Sequence, residues 1–116
     1  VTTTMPTITE GVEFDTVARE WRCKWSSDND NASLAAAQKA LNDILKEVKA
    51  IDGCKSVQRV VCGGCLDFKV IVALSADTYG AWESAKFAPE ESFLKKLGEI
   101  DGISTIETQT FTLMPM

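Results

Sequence analysis

Hydrophobic and polar positions divide the chain into segments of two periods. From Phe14 to Trp25, Val17, Trp21, Cys23 and Trp25 fall on one face, with Arg19 the exception among them, and Thr16, Ala18, Glu20, Arg22 and Lys24 fall on the other. That alternation predicts a half-buried strand. Ser26 to Asn31 is a cluster of turn and cap formers, after which Leu34, Ala37, Leu41, Ile44, Leu45 and Val48 return at helical spacing. They predict a helix from about Ser33 to Ile51, stopped by Gly53. Two runs rich in β-branched and aromatic residues, ending at Cys62 and starting again at Cys65, flank Gly63-Gly64. This is the pattern of a hairpin with a two-residue type I′ loop that sets Cys62 opposite Cys65. Ser75 and Asp77 offer caps for a second helical region with Tyr79 and Trp82 one turn apart. Phe87-Ala88-Pro89 interrupts it, so the region is expected to be bent or split. Pro89 suits the first turn of the renewed helix, Glu90 and Glu91 suit its positive end, and Phe93, Leu94, Leu97 and Ile100 form its buried stripe up to Gly102. Ile103 to Met114 is Thr-rich and strand-like, with no clear choice of buried face. Residues 1–12 are Thr-rich and aperiodic and are expected to be a flexible arm, leaving 13–116 as a single domain.

Ile51-Asp52-Gly53 and Ile100-Asp101-Gly102 each close a helix and open a strand. Two halves of strand, helix, Ile-Asp-Gly and strand, joined by a tight hairpin, give an α+β fold, the ferredoxin-like βαββαβ arrangement with a four-stranded antiparallel sheet and two helices on one face. The first and third strands are expected at the centre. Leu66, Phe68, Val70, Val72 and Leu74 then lie under the helices. The open face carries Glu20, Arg22, Lys24, Asp67 and Lys69 as a ladder of mixed charge. The architecture is similar to that of the dimeric α+β barrel proteins and of the exchange domain of eukaryotic elongation factor one-beta, and no motif in the chain is diagnostic of either.

Composition narrows the chemistry. Twelve Lys and Arg against seventeen Asp and Glu give a net charge of −5, a field that repels phosphate backbones, so no nucleic-acid partner is expected. No stretch has the length of apolar sequence needed to span a bilayer. Val1 at the start allows for a removed leader, as in a processed organellar protein, and the compartment is otherwise unspecified. The chain has no histidine, which removes the commonest general base, metal ligand and haem ligand.

Cys62 and Cys65 are the candidates for redox chemistry or a disulfide. Residues facing each other across a hairpin sit about 5.5 Å apart, within reach of a bridge. Thioredoxin-type chemistry instead needs a helix opening at the motif, and here a strand follows. Cys54 and Cys62 end the same strand about 26 Å apart, so no metal site within one chain is expected, nor any cofactor. Trp21 and Trp82 fit the core, whereas Trp25, at a strand end, is expected to be exposed and to join Glu20, Arg22, Lys24, Asp67 and Lys69 on a binding face. Glu90 and Glu91 are assigned to the helix dipole. The leading expectation is a non-catalytic binding or assembly module, an accessory subunit with a protein partner or a homo-oligomer. The alternatives are a thiol-disulfide redox protein using Cys62 and Cys65, and a small-molecule enzyme of dimeric α+β barrel type.

Overall fold

The computed structural model of the chain describes residues 5–116. A small hairpin comes first, β1 (Thr7–Thr9) against β2 (Val12–Glu13). It occupies part of the segment expected to be an arm, and Val1 to Thr4 lie outside the described residues. Then come β3 (Thr16–Lys24), α1 (Asp28–Lys49), β4 (Cys54–Cys62), β5 (Asp67–Ser75), α2 (Ala76–Ser84), α3 (Glu90–Gly98) and β6 (Ser104–Leu113). The main sheet is antiparallel in the order β4-β5-β3-β6. This is the expected ferredoxin-like arrangement, with β3 and β5 central and the helices on one face.

The helix side of the sheet buries Val17, Trp21 and Cys23 from β3 and Phe68, Val70, Val72 and Leu74 from β5. Against them pack Ala37, Leu41 and Val48 of α1, Tyr79 and Trp82 of α2, and Phe93 and Leu97 of α3. Period decides this outcome: every second strand residue and every third or fourth helix residue is apolar, so each element has one face to cover. The face of β6 is set by its register on β3, where Arg19 pairs with Thr110 and Trp21 with Thr108. Thr108 and Thr110 therefore lie on the helix side.

The two Ile-Asp-Gly turns are alike in structure. Gly53 has φ +81 and Gly102 φ +97, left-handed values that a Cβ disfavours and that let each helix reverse into a strand. Each is also a close approach. A Cβ on Gly53 would stand 1.8 Å from the Thr78 hydroxyl, and one on Gly102 would stand 3.0 Å from the Ser33 Cβ. Ser33 is buried and its hydroxyl ties back to Ser26, accepting from the Ser26 N–H at 2.9 Å and donating to its carbonyl at 3.1 Å.

The central hairpin differs from the two-residue loop expected. Cys62 pairs with Asp67 rather than Cys65, so the loop is Gly63-Gly64-Cys65-Leu66. Leu66, not a glycine, carries the positive φ of 60. The reason is tertiary: the Leu66 carbonyl accepts the Trp25 N–H at 2.9 Å, and Lys24 Nζ donates to the Cys65 carbonyl at 2.9 Å. The end of β3 thus holds a wider loop than a free Gly-Gly turn would form. The second helical region is split as expected, with Pro89 immediately before α3, and α3 ends at Gly98, a turn earlier than expected.

Candidate functional site

Arg19, the one charged residue on the apolar side of β3, lies beneath the connection between α2 and α3. Its Nε donates to Glu90 Oε1 at 2.7 Å and Nη2 to Glu90 Oε2 at 3.3 Å. Nη2 also donates to the Thr108 hydroxyl at 3.1 Å, and Nη1 to the Thr110 hydroxyl at 2.9 Å. A guanidinium has five N–H groups in a fixed fork, and four are committed here among the described residues. Glu90 in turn accepts the Trp21 indole N–H at 2.7 Å. Arg19 and Glu90 are each 15% exposed, so their attraction acts in a partly dehydrated setting.

Aromatic rings enclose the pair. Phe87 places its ring centroid 4.1 Å from the Arg19 guanidinium carbon, a cation–π contact. Phe87 also meets Trp82 edge to face at 5.2 Å and Tyr79 at 5.8 Å, while Trp21 packs on Phe93 at 5.4 Å and on Trp82 at 6.3 Å. The Tyr79 hydroxyl lies 2.8 Å from the Thr110 hydroxyl. Burial raises the Tyr79 phenol above its ordinary pKa, against the opposing hydrogen bond from Thr110. Tyr79 therefore stays protonated at neutral pH. A guanidinium with one N–H to spare, the hydroxyls of Tyr79, Thr108 and Thr110 and a set of aromatic rings are groups that suit a planar, oxygen-bearing ring, and Phe87 covers the guanidinium.

The sequence signal for this cluster was the break in the parity of β3 at Arg19. Glu90, read there as serving the helix dipole, turns inward to Arg19 and Trp21. Tyr79 and Phe87 look like ordinary core aromatics, and Thr108 and Thr110 belong to a strand whose facing the pattern left open, so none of them is legible as a site residue.

Glu20, Arg22, Lys24, Asp67 and Lys69 lie together on the open face of the sheet, as their parity predicts. Lys24 pairs with Asp67, Arg22 Nη2 pairs with Glu107 at 2.9 Å, and Lys69 and Arg22 each stand 4.0 Å from Glu20. The Lys24 hydrogen bond is the main cause that lowers the Asp67 carboxyl below its usual range. Glu20 is only 4% exposed, covered by these neighbours and by Gln109, which donates to it. Trp25 is a correction: it is buried on the helix side, where its indole N–H donates to the Asp67 carbonyl at 3.1 Å. The strand-end position suggested exposure, but the hairpin loop folds back over the ring.

Cys62 and Cys65 form a disulfide across the loop, with Cα atoms 5.6 Å apart. Cys23 and Cys54 are free. Desolvation raises both thiols, Cys23 to about 11. Among the described residues, no group of three or more His, Cys, Asp and Glu side chains is placed to hold a metal, and no helix is long and apolar enough to cross a membrane.

No protein-family model and no curated protein sequence matches the chain. Solved structures do match it in fold. A candidate antibiotic biosynthesis monooxygenase from Deinococcus radiodurans superposes with a TM-score of 0.65 at 14% identity, covering 86% of this chain and 94% of that one. Its counterpart from Caulobacter crescentus gives 0.64 at 13%, covering 88% and 92%. SnoaB of Streptomyces nogalater, a cofactor-independent oxygenase, gives 0.59 at 16%, covering 88% and 96%. These likenesses establish the fold. They also overturn the non-catalytic assembly module as the leading reading. That reading rested on missing motifs, and proteins described as oxygenases carry this same architecture over nearly their whole length.

Proposed function

We propose that the protein is a small-molecule enzyme of dimeric α+β barrel type, an oxygenase acting on a planar, electron-rich compound with an ionisable hydroxyl or enol. The observation that carries this is the Arg19 cluster: a cation and two hydroxyls set among aromatic rings on the helix side of the sheet. The likeness in fold to proteins described as oxygenases supports this reaction class by analogy.

When the substrate itself reduces O2, the anion formed when an activated methylene gives its proton to solvent water supplies the electrons. One electron passes to O2, the resulting carbon radical and superoxide join through a new C–O bond, and the peroxide anion takes up a proton. The hydroperoxide so formed still carries one C–H bond. Loss of that hydrogen together with the terminal hydroxyl, as water, leaves a ketone. A methylene and O2 thus become a carbonyl and water, with all atoms and electrons accounted for. The Arg19 cation stabilises the negative charge of the substrate anion and then of the peroxide. Tyr79, protonated and joined to Thr110, delivers the proton. Glu90 positions Arg19.

The open face supports the dimeric part of the proposal. Its charges are paired within the protomer, and Val60 and Leu113, 40% and 41% exposed, flank it with Ile71 and Phe111. A second copy laid on this face would meet charges already paired within each protomer, which limits the desolvation penalty of covering them, and would bury the apolar side chains beside them. Sedimentation should show a dimer that Ile71→Asp converts to a monomer.

The activity is tested by oxygen uptake and ¹⁸O₂ labelling with a panel of naphthols, anthrones and enolic diketones. The expected product carries one oxygen atom from O2, and Arg19→Met lowers kcat by about 100-fold, the scale of losing a stabilising charge at a reacting oxygen. No protein-dependent uptake across the panel, or undiminished turnover by Arg19→Met, overturns the proposal.

A further inference from the structure

We propose that Phe87 is a plug: its ring occupies the position in which the substrate ring binds, and it must swing out before a ligand can enter. This inference deepens the preceding one and rests on the Arg19 cluster being the binding site. Three observations carry it.

First, the contacts of Phe87 are those a planar ligand would make. Its ring lies 4.1 Å from the Arg19 guanidinium carbon, edge to face with Trp82 at 5.2 Å, and 5.8 Å from Tyr79. Trp82 and Tyr79 are buried, whereas Phe87 is only partly so. It therefore fills the mouth of an aromatic slot whose walls belong to the core.

Second, the backbone that seats this ring is strained. Lys86 and Phe87 both have φ of 58, a left-handed conformation that side chains with a Cβ seldom adopt even singly. The Phe87 N–H donates to the Trp82 carbonyl at 2.9 Å, and the Phe87 carbonyl accepts the Glu90 N–H at 2.9 Å. The seated position is thus set by a few contacts against a backbone preference for leaving it. Return of Lys86 and Phe87 to ordinary negative φ would withdraw the ring.

Third, the segment has somewhere to go. An open hollow of about 400 Å³ adjoins the same connection, lined by Ala85, Lys86, Ala88 and Pro89 with Glu91, Ser92 and Lys95 of α3. With the ring withdrawn, a phenyl-sized slot opens among Arg19, Tyr79 and Trp82. The remaining N–H on Arg19 Nη1 and the Tyr79 and Thr110 hydroxyls can then meet a ligand oxygen. The plug also confers selectivity, because a ligand must replace the stacking that Phe87 gives up.

The test is binding without turnover, measured anaerobically by calorimetry on the wild type and Phe87→Ala, with 2-naphthol and its saturated analogue decahydro-2-naphthol as probes. Phe87→Gly, which empties the slot and suits the positive φ, carries the same comparison should Phe87→Ala not fold. The expected result is that 2-naphthol binds Phe87→Ala at least tenfold tighter than the wild type, that the saturated analogue gains less than threefold, and that adding Arg19→Met abolishes the gain. Equal affinity of wild type and variant for 2-naphthol overturns the plug while leaving the binding site intact. Absence of binding to either folded protein overturns the site, and the plug with it.

Discussion

Replacing Glu90 by alanine tests whether the Arg19 cluster holds the helices to the sheet as well as shaping a site. The variant loses two hydrogen bonds to Arg19 and one from Trp21. Trp21 is fully buried, so its indole N–H is left without an acceptor, at a cost of about 1–3 kcal/mol. Arg19 keeps its bonds to Thr108 and Thr110 and is 15% exposed. Water and the two hydroxyls thus hold the charge penalty below the roughly 3–5 kcal/mol of a fully buried broken pair. Together these losses come to about 3 kcal/mol. For a domain of this length that corresponds to a fall in Tm of about 12 °C, at about 4 °C per kcal/mol. Urea unfolding followed by tryptophan fluorescence measures the change, because Trp21 and Trp82 both adjoin the cluster. Arg19→Met on the same background removes the stranded cation, so the double variant should recover part of the loss, with a coupling energy of about 2 kcal/mol. A coupling below about 0.5 kcal/mol, or a Glu90→Ala protein within about 1 kcal/mol of the wild type, refutes the reasoning.

Gly53→Ala should cost about 3 kcal/mol, from a positive φ and from the collision with Thr78, whereas Gly63→Ala, with open space around it, should stay within about 0.5 kcal/mol by the same urea assay. Opening the Cys62–Cys65 bridge by a double serine substitution should lower stability by about 2 kcal/mol on the chain-entropy model for so short a loop, with turnover unchanged; lost turnover would assign the sulfurs a chemical role. Iodoacetamide at pH 8 should label Cys54 in the native protein and Cys23 only after unfolding, read by mass spectrometry, because burial holds the Cys23 thiol at about 11. The sign of the linked stability follows. A thiol raised above its ordinary value favours the folded state at low pH, and that contribution is lost as pH rises from about 9 towards 11. Native unfolding midpoints that stay flat across that window in wild type but not in Cys23→Ala would contradict this.

The strand and helix periods, the two Ile-Asp-Gly turns and the break before Pro89 made the architecture legible, since each is a local pattern with a single cheap structural answer. The site was legible only as an anomaly. Arg19 interrupts an apolar face, and a charge in such a place needs a partner, but the partner lies 71 residues away at Glu90. Trp25 shows the opposite error. A strand-end ring looks exposed until the hairpin loop is placed over it.

Sequence alone determined which residues of β3, β5 and the helices face the core, where the two Ile-Asp-Gly turns reverse the chain and that the sheet is mixed in charge on its open side, because these follow from side-chain period and backbone freedom within a few residues. Tertiary structure alone decided which hydroxyls of β6 meet Arg19, that Glu90 turns inward and that Phe87 covers the cation. Strand register and the packing of α2 and α3 bring those groups together across long separations, where no local preference can act.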